Sequence, residues 1–233
     1  MLAWAGAVAS GLPTARTKES GTMKHVVLLG DSVFDNAAYV GGGPDVVAQL
    51  RLRLPSGWAA TLLAVDGSVM NGVAGQLARG PGDATHLVVS AGGNDALGFS
   101  SVLAEPSRSV ADSLQRLAEV RRRFQAGYGA MLDAILVRGL PTAVCTIYDP
   151  HYPDPAQRLI GATALCVIND CILREAMSRG LPILELRIVC AEDADFANPI
   201  EPSAQGGGKI AGAIASLLLG HDFGHGRSEI FTG

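Results

Sequence analysis

Residues 25–36 read HVVLLGDSVFDN: an unbroken apolar run of strand type that stops at Gly30-Asp31-Ser32. Residues 85–91, THLVVSA, form a second such run and stop at Gly92-Gly93-Asn94-Asp95. Further short apolar runs lie at 60–65 (ATLLAV), 142–147 (TAVCTI) and 182–186 (PILEL). Continuous rather than alternating hydrophobicity predicts strands buried on both faces, as in a parallel sheet covered by helices. Helical spacing fills the intervals, at 44–54, 69–79, 109–138, 155–179 and 206–219. Strands alternating with helices require crossover connections, and the expected class is a three-layer α/β/α domain with a five-stranded parallel sheet.

Both Gly-containing turns follow strands, so Ser32 and Asn94 are expected at the carboxyl edge of the sheet, where open α/β folds bind ligands. A serine hydroxyl and a carboxamide donor at one edge are two parts of an acyl-transfer site. The plain alternatives are a helix N-cap for Ser32 and a turn residue for Asn94. Asp31 and Asp95 are expected to brace their turns by accepting backbone N–H groups.

The GDS and GGND blocks, each closing a strand and in this order, resemble blocks I and III of the SGNH hydrolases, the GDSL-type esterases and lipases. The likeness spans roughly residues 24–219. It implies a flavodoxin-like strand order, 2-1-3-4-5, and a serine esterase acting through an acyl-Ser32 intermediate without metal or organic cofactor. It further implies small acyl or acetyl esters as substrates, and an oxyanion hole made by Asn94, the Ser32 N–H and a block II glycine. Gly67, in Val65-Asp66-Gly67-Ser68, fits that glycine best, with Gly72 as the fallback.

The last block departs from the pattern. Where the family has Asp-x-x-His before the final helix, this chain has Asn198-Pro199-Ile200-Glu201, followed by Pro202-Ser203. Three readings stay open. Glu201 acts as base with Asn198 as its orienting partner, which requires burial to lift a carboxyl from its ordinary pKa of roughly 4.3. Alternatively His151, after the fourth strand, fills the gap with Asp149 or Asp154 behind it. The third reading is a catalytically silent protein that uses the pocket to bind a carbohydrate or acyl ligand. Transfer of the acyl group to an acceptor other than water is a variant of the first two.

Composition narrows the field. The chain has 233 residues, 48% hydrophobic and 17% charged, with a net charge of −4, which suits one domain with a large core and gives no basic footprint for nucleic acid. The expected partner is a small-molecule ester. No membrane-seeking helix stands out, so stable membrane insertion is not expected. Cys145, Cys166, Cys171 and Cys190 show no CxxC pairing and read as buried free thiols of a reducing compartment. Residues 1–22 carry their basic residues after the apolar stretch, the reverse of a secretory signal, and read as a disordered extension or a mis-assigned start; cytoplasmic is the expected location. The domain is expected over 23–219. Residues 220–233 are expected as a flexible tail whose His221 and His225 are ordinary surface residues.

Overall fold

The computed structural model describes residues 23–233; the expected extension at 1–22 lies outside the described residues. The first strand, β1 (Lys24–Gly30), shows why its sequence is apolar throughout: Val26, Val27, Leu28 and Leu29 are all fully buried. Successive side chains of a strand point to opposite faces. Val26 and Leu28 therefore enter one core layer and Val27 and Leu29 the other.

The chain continues through α1 (Val46–Arg53), β2 (Trp58–Leu62), α2 (Met70–Ala78), β3 (His86–Ser90), α3 (Gly93–Gly98), α4 (Val110–Leu136), β4 (Thr142–Cys145) and α5 (Pro155–Ser178). It closes with β5 (Ile183–Leu184), α6 (Leu186–Val189), α7 (Ala204–Gly220) and β6 (Ile230–Phe231). All pairings are parallel and the order is β2-β1-β3-β4-β5-β6. Helices α1, α6 and α7 pack on one face, and α2, α4 and α5 on the other. The connections run outward from β1 to β2, then back across β1 to β3. That reversal leaves a crevice beyond the carboxyl ends of β1 and β3, a topological switch point.

The expected order 2-1-3-4-5 is present, with one correction: the sheet has six strands among the described residues. The segment 220–233, expected as a flexible tail, returns to cover the edge of β5. Ile183 N–H donates to the Glu229 carbonyl at 2.8 Å, and Glu185 N–H to that of Phe231 at 2.9 Å. An exposed strand edge carries unpaired backbone groups, and the tail satisfies them. His221, expected at the surface, has a side chain only 4% exposed. Its ring meets Phe223 and Phe231 edge-on, and its Nδ1 lies 2.9 Å from Glu229. His86 sits against Trp58 and Phe223, and burial pushes its pKa down to about 4. All four cysteines are free; Cys166 is exposed, contrary to the expected burial of every thiol.

Candidate active site

The end of β1 is built around Gly30. Its φ is +127°, and a Cβ there would lie 1.7 Å from the Ser90 carbonyl oxygen, so only glycine lets the two strand ends approach this closely. Gln76, on α2, clamps the same residue from the side. Gly30 N–H donates to Gln76 Oε1 and Gln76 Nε2 donates to the Gly30 carbonyl, both at 2.7 Å. Gln76 Nε2 also reaches the Ser68 hydroxyl at 3.1 Å. Beyond Gly30 the backbone makes a single helical turn, with Phe34 N–H and Asp35 N–H donating to the Asp31 carbonyl. This turn does not continue into a long helix, so Ser32 is not a helix cap.

Asn94 stands in the first turn of α3, after Gly92, whose φ of +109° and close approach to the Phe124 ring again exclude a side chain. Its carboxamide donates to the Ser68 carbonyl at 2.9 Å, which leaves a second N–H free to serve a ligand. Asp95 accepts the Met70 N–H at 3.0 Å and thereby joins the start of α2 to the same turn. Asp31 accepts from Val33 N–H at 3.2 Å. Both carboxyls brace backbone as expected.

Glu201 arrives from the loop before α7, and that loop is pinned along its length. Asn198 Oδ1 accepts the N–H groups of Ile200 and Glu201, each at 3.0 Å. Tyr148 donates its hydroxyl to the Ile200 carbonyl at 2.6 Å, and His151 N–H donates to that of Pro199 at 2.8 Å. Fully buried Asn36 donates to the Pro202 carbonyl at 3.2 Å and accepts from Val46 N–H at 3.0 Å, tying this loop to the segment after Ser32. Ser203 caps α7 through the Gly206 N–H. Asn198 therefore orients Glu201 through the backbone and not through its carboxyl. Sequence reading missed Gln76 and Asn36, since a polar residue inside a helix or loop does not reveal a partner far away along the chain.

Asp31, Ser32, Asn94 and Glu201 line one cavity of about 410 Å³. Hydrogen bonding from the Ser32 hydroxyl acts to lower the pKa of the Glu201 carboxyl. Burial acts the other way and prevails, with help from the Asp66 charge, so Glu201 is held above its ordinary value. Among the described residues, Glu201 Oε2 is buried without a hydrogen-bond partner. Asp31 is pushed up to about 7, mainly by burial and also by the Glu201 and Asp95 carboxylates. No Lys, Arg or His is among the lining residues to offset this negative charge. Among the described residues, no group of three or more His, Cys, Asp or Glu side chains is arranged to hold a metal ion.

The remaining candidates fall outside this lining. His151 stacks on Phe196 with ring centroids 3.9 Å apart, and its Nδ1 lies 2.8 Å from Asp193, which also takes Arg158. The expected partners Asp149 and Asp154 do not hold it; Asp154 instead caps α5. Gly67 is exposed, with φ +74°, one residue before the Ser68 carbonyl that holds Asn94. Gly72 lies inside the first turn of α2, which removes it as the fallback.

No protein-family model matches the sequence, and a search of curated proteins finds no match. Solved structures do resemble it. An extracellular lipase from Streptomyces rimosus superposes with a TM-score of 0.61 at 18% identity, over 84% of this chain and 98% of that one. A carbohydrate acetylesterase from Sinorhizobium meliloti gives 0.59 at 14% identity, over 84% and 98%. A member of the lipolytic G-D-S-L family from Veillonella parvula gives 0.58 at 12%, again over 84% and 98%. Identities this low establish the fold alone: this chain shares the three-layer α/β/α architecture of these three structures.

Proposed function

We propose that the protein hydrolyses carboxylic esters through an acyl-Ser32 intermediate, with Glu201 carrying the proton. The observation that supports this most is the shared cavity, which a serine hydroxyl, a carboxamide with an N–H to spare and a desolvated carboxyl line together. Ser32 Oγ attacks the ester carbonyl carbon as Glu201 accepts its proton. The oxyanion takes hydrogen bonds from Asn94 Nδ2 and the Ser32 N–H. Gly67 N–H, which makes no hydrogen bond within the described residues, is the third donor in this proposal. Collapse expels the alcohol, which takes the proton from Glu201. Water then attacks the acyl carbon by the same route and frees Ser32.

A carboxylate is a weak base at its ordinary pKa, and the raised value at Glu201 is what suits it to the role. Donors preset at the oxyanion are worth about 3 kcal/mol of barrier each. A second reading, a silent binding protein, draws on the lack of histidine in the cavity lining. Hydrolysis of a p-nitrophenyl ester by purified protein, lost in Ser32→Ala, supports the enzyme. Equal rates in the two proteins would point to binding alone.

A further inference from the structure

Beyond Ser32 the cavity runs away from the sheet edge between α3, the 3-10 turn Ser100–Ala104, the N-terminal half of α4, and α5. Phe99, Val102, Leu117, Ile160, Leu165 and Ile168 line it. An acetyl group would leave most of this volume empty: about 410 Å³ equals the liquid volume of on the order of ten water molecules at roughly 30 Å³ apiece. We infer that the cavity seats the hydrocarbon tail of a medium- to long-chain acyl ester. The inference rests on the ester-hydrolase reading for the position of the carbonyl, and differs from the small acyl groups that the sequence resemblance implies.

The polar side chains Asp31, Ser32, Asn94 and Glu201 gather at the sheet edge, and the helices contribute mostly apolar ones. That polarity matches an acyl ester, with one polar group at the head and none along the tail. At the outer end Leu97, Leu103 and Ile160 line the cavity while being 40%, 45% and 53% exposed, so apolar wall passes into apolar surface. Leu159, next to Ile160, and Leu114, one turn before Leu117, are also exposed. Although no membrane-seeking helix stands out in the sequence, α5 is long and apolar enough to qualify as a membrane span by composition. Only 22% of its most apolar stretch is buried in the fold. A tail can enter this mouth from a lipid aggregate or as a dissolved ester, and the chemistry recognised is the same.

The test is a p-nitrophenyl ester series from acetate to decanoate, below aggregation, with the wild-type protein and Ala164→Phe, which fills the cavity from α5. Specificity (kcat/KM) is expected to rise about 3- to 4-fold per methylene, the equivalent of burying each one. Ala164→Phe is expected to cut the decanoate-to-acetate ratio at least tenfold. A flat series, or acetate as the best substrate, would overturn the inference, and the wild-type series decides even if Ala164→Phe does not fold. Binding of a fluorescent fatty acid to Ser32→Ala separates the two levels of the argument. Saturable probe binding by Ser32→Ala, with the wild-type protein inactive on every ester of the series, removes the hydrolase reading and keeps the tail site; a wild-type protein that is an active acetate-preferring esterase, with no probe binding by Ser32→Ala, does the reverse. Turnover of phosphatidylcholine vesicles alongside decanoate assigns the lipid surface as a source of the tail, and decanoate alone assigns soluble esters.

Discussion

Ser32 and Glu201, at opposite ends of the domain sequence, share the floor of one cavity, and burial holds the carboxyl above its ordinary pKa. Acting as a base, Glu201 works only when deprotonated. Specificity is therefore expected to climb with pH through a value above the ordinary one of a glutamate and then to level off. Glu201→Gln is expected to lose about 10²- to 10⁴-fold in kcat, together with that acidic limb. His151→Ala is expected to keep both, because His151 is not among the residues that line the cavity. A pH–rate profile of the three proteins checks this, and full activity in Glu201→Gln would remove Glu201 as the base.

Asn94 has one N–H on the Ser68 carbonyl and one to spare. Asn94→Ala is expected to lower kcat by about 10²- to 10³-fold with a smaller change in KM. A thermal melt run beside the kinetics separates lost chemistry from a loosened Ser68 loop. An unchanged kcat would mean that the oxyanion is held elsewhere.

Asp31 gives a pH dependence of stability whose sign is unusual for an acid. Its folded pKa of about 7 lies above the ordinary 3.8, so between these values the native state holds a proton that the unfolded chain has released. Stability contributed by the protonated form is complete below about pH 3.8 and is lost as pH rises toward 7, by about 4 kcal/mol at 1.36 kcal/mol per unit. Asp31→Asn keeps an oxygen for the Val33 N–H and removes the titration. It is expected to match the wild type near pH 4 and exceed it at pH 8 in urea unfolding. Parallel curves for the two proteins would show that Asp31 does not titrate this way.

Gly30 is where the geometry of the turn is most exposed to test. Gly30→Ala must move the Ser90 carbonyl, which a Cβ would meet at 1.7 Å, and is expected to cost more than about 3 kcal/mol. Gly41→Ala, with φ +58° but open space around it, is expected to cost only about 1–2 kcal/mol. Urea midpoints of the two variants measure the difference.

Much of this was legible in the residues because the informative signals are local. Apolar runs such as 26–29 and 87–89 announce strands buried on both faces, and a strand followed by Gly-Asp-Ser or Gly-Gly-Asn-Asp announces its functional edge. What escaped is what depends on distant partners. Ile230–Phe231 is too short for any periodicity, and its place is set by the open edge of β5 and by His221 packed among aromatic rings. Gln76 and Asn36 look like ordinary polar residues until the turns they clamp come within reach. His151 looked available because position after β4 does not say which side chains line the cavity: Pro150 and Tyr152 do, and His151 between them does not. The depth of the acyl cavity was equally hidden, since Leu117, Ile160 and Leu165 carry the same helical spacing whether they face a packed core or an open channel.

The central claim concerns the reactivity of one hydroxyl, and intact-mass measurement after treatment with an alkyl fluorophosphonate reads it directly. The wild-type protein is expected to gain a single adduct on Ser32, faster as pH rises through the Glu201 titration, with no adduct on Ser32→Ala and a much slower one on Glu201→Gln. An unmodified wild-type protein across about pH 5 to 9, or an adduct that persists in Ser32→Ala, would contradict it.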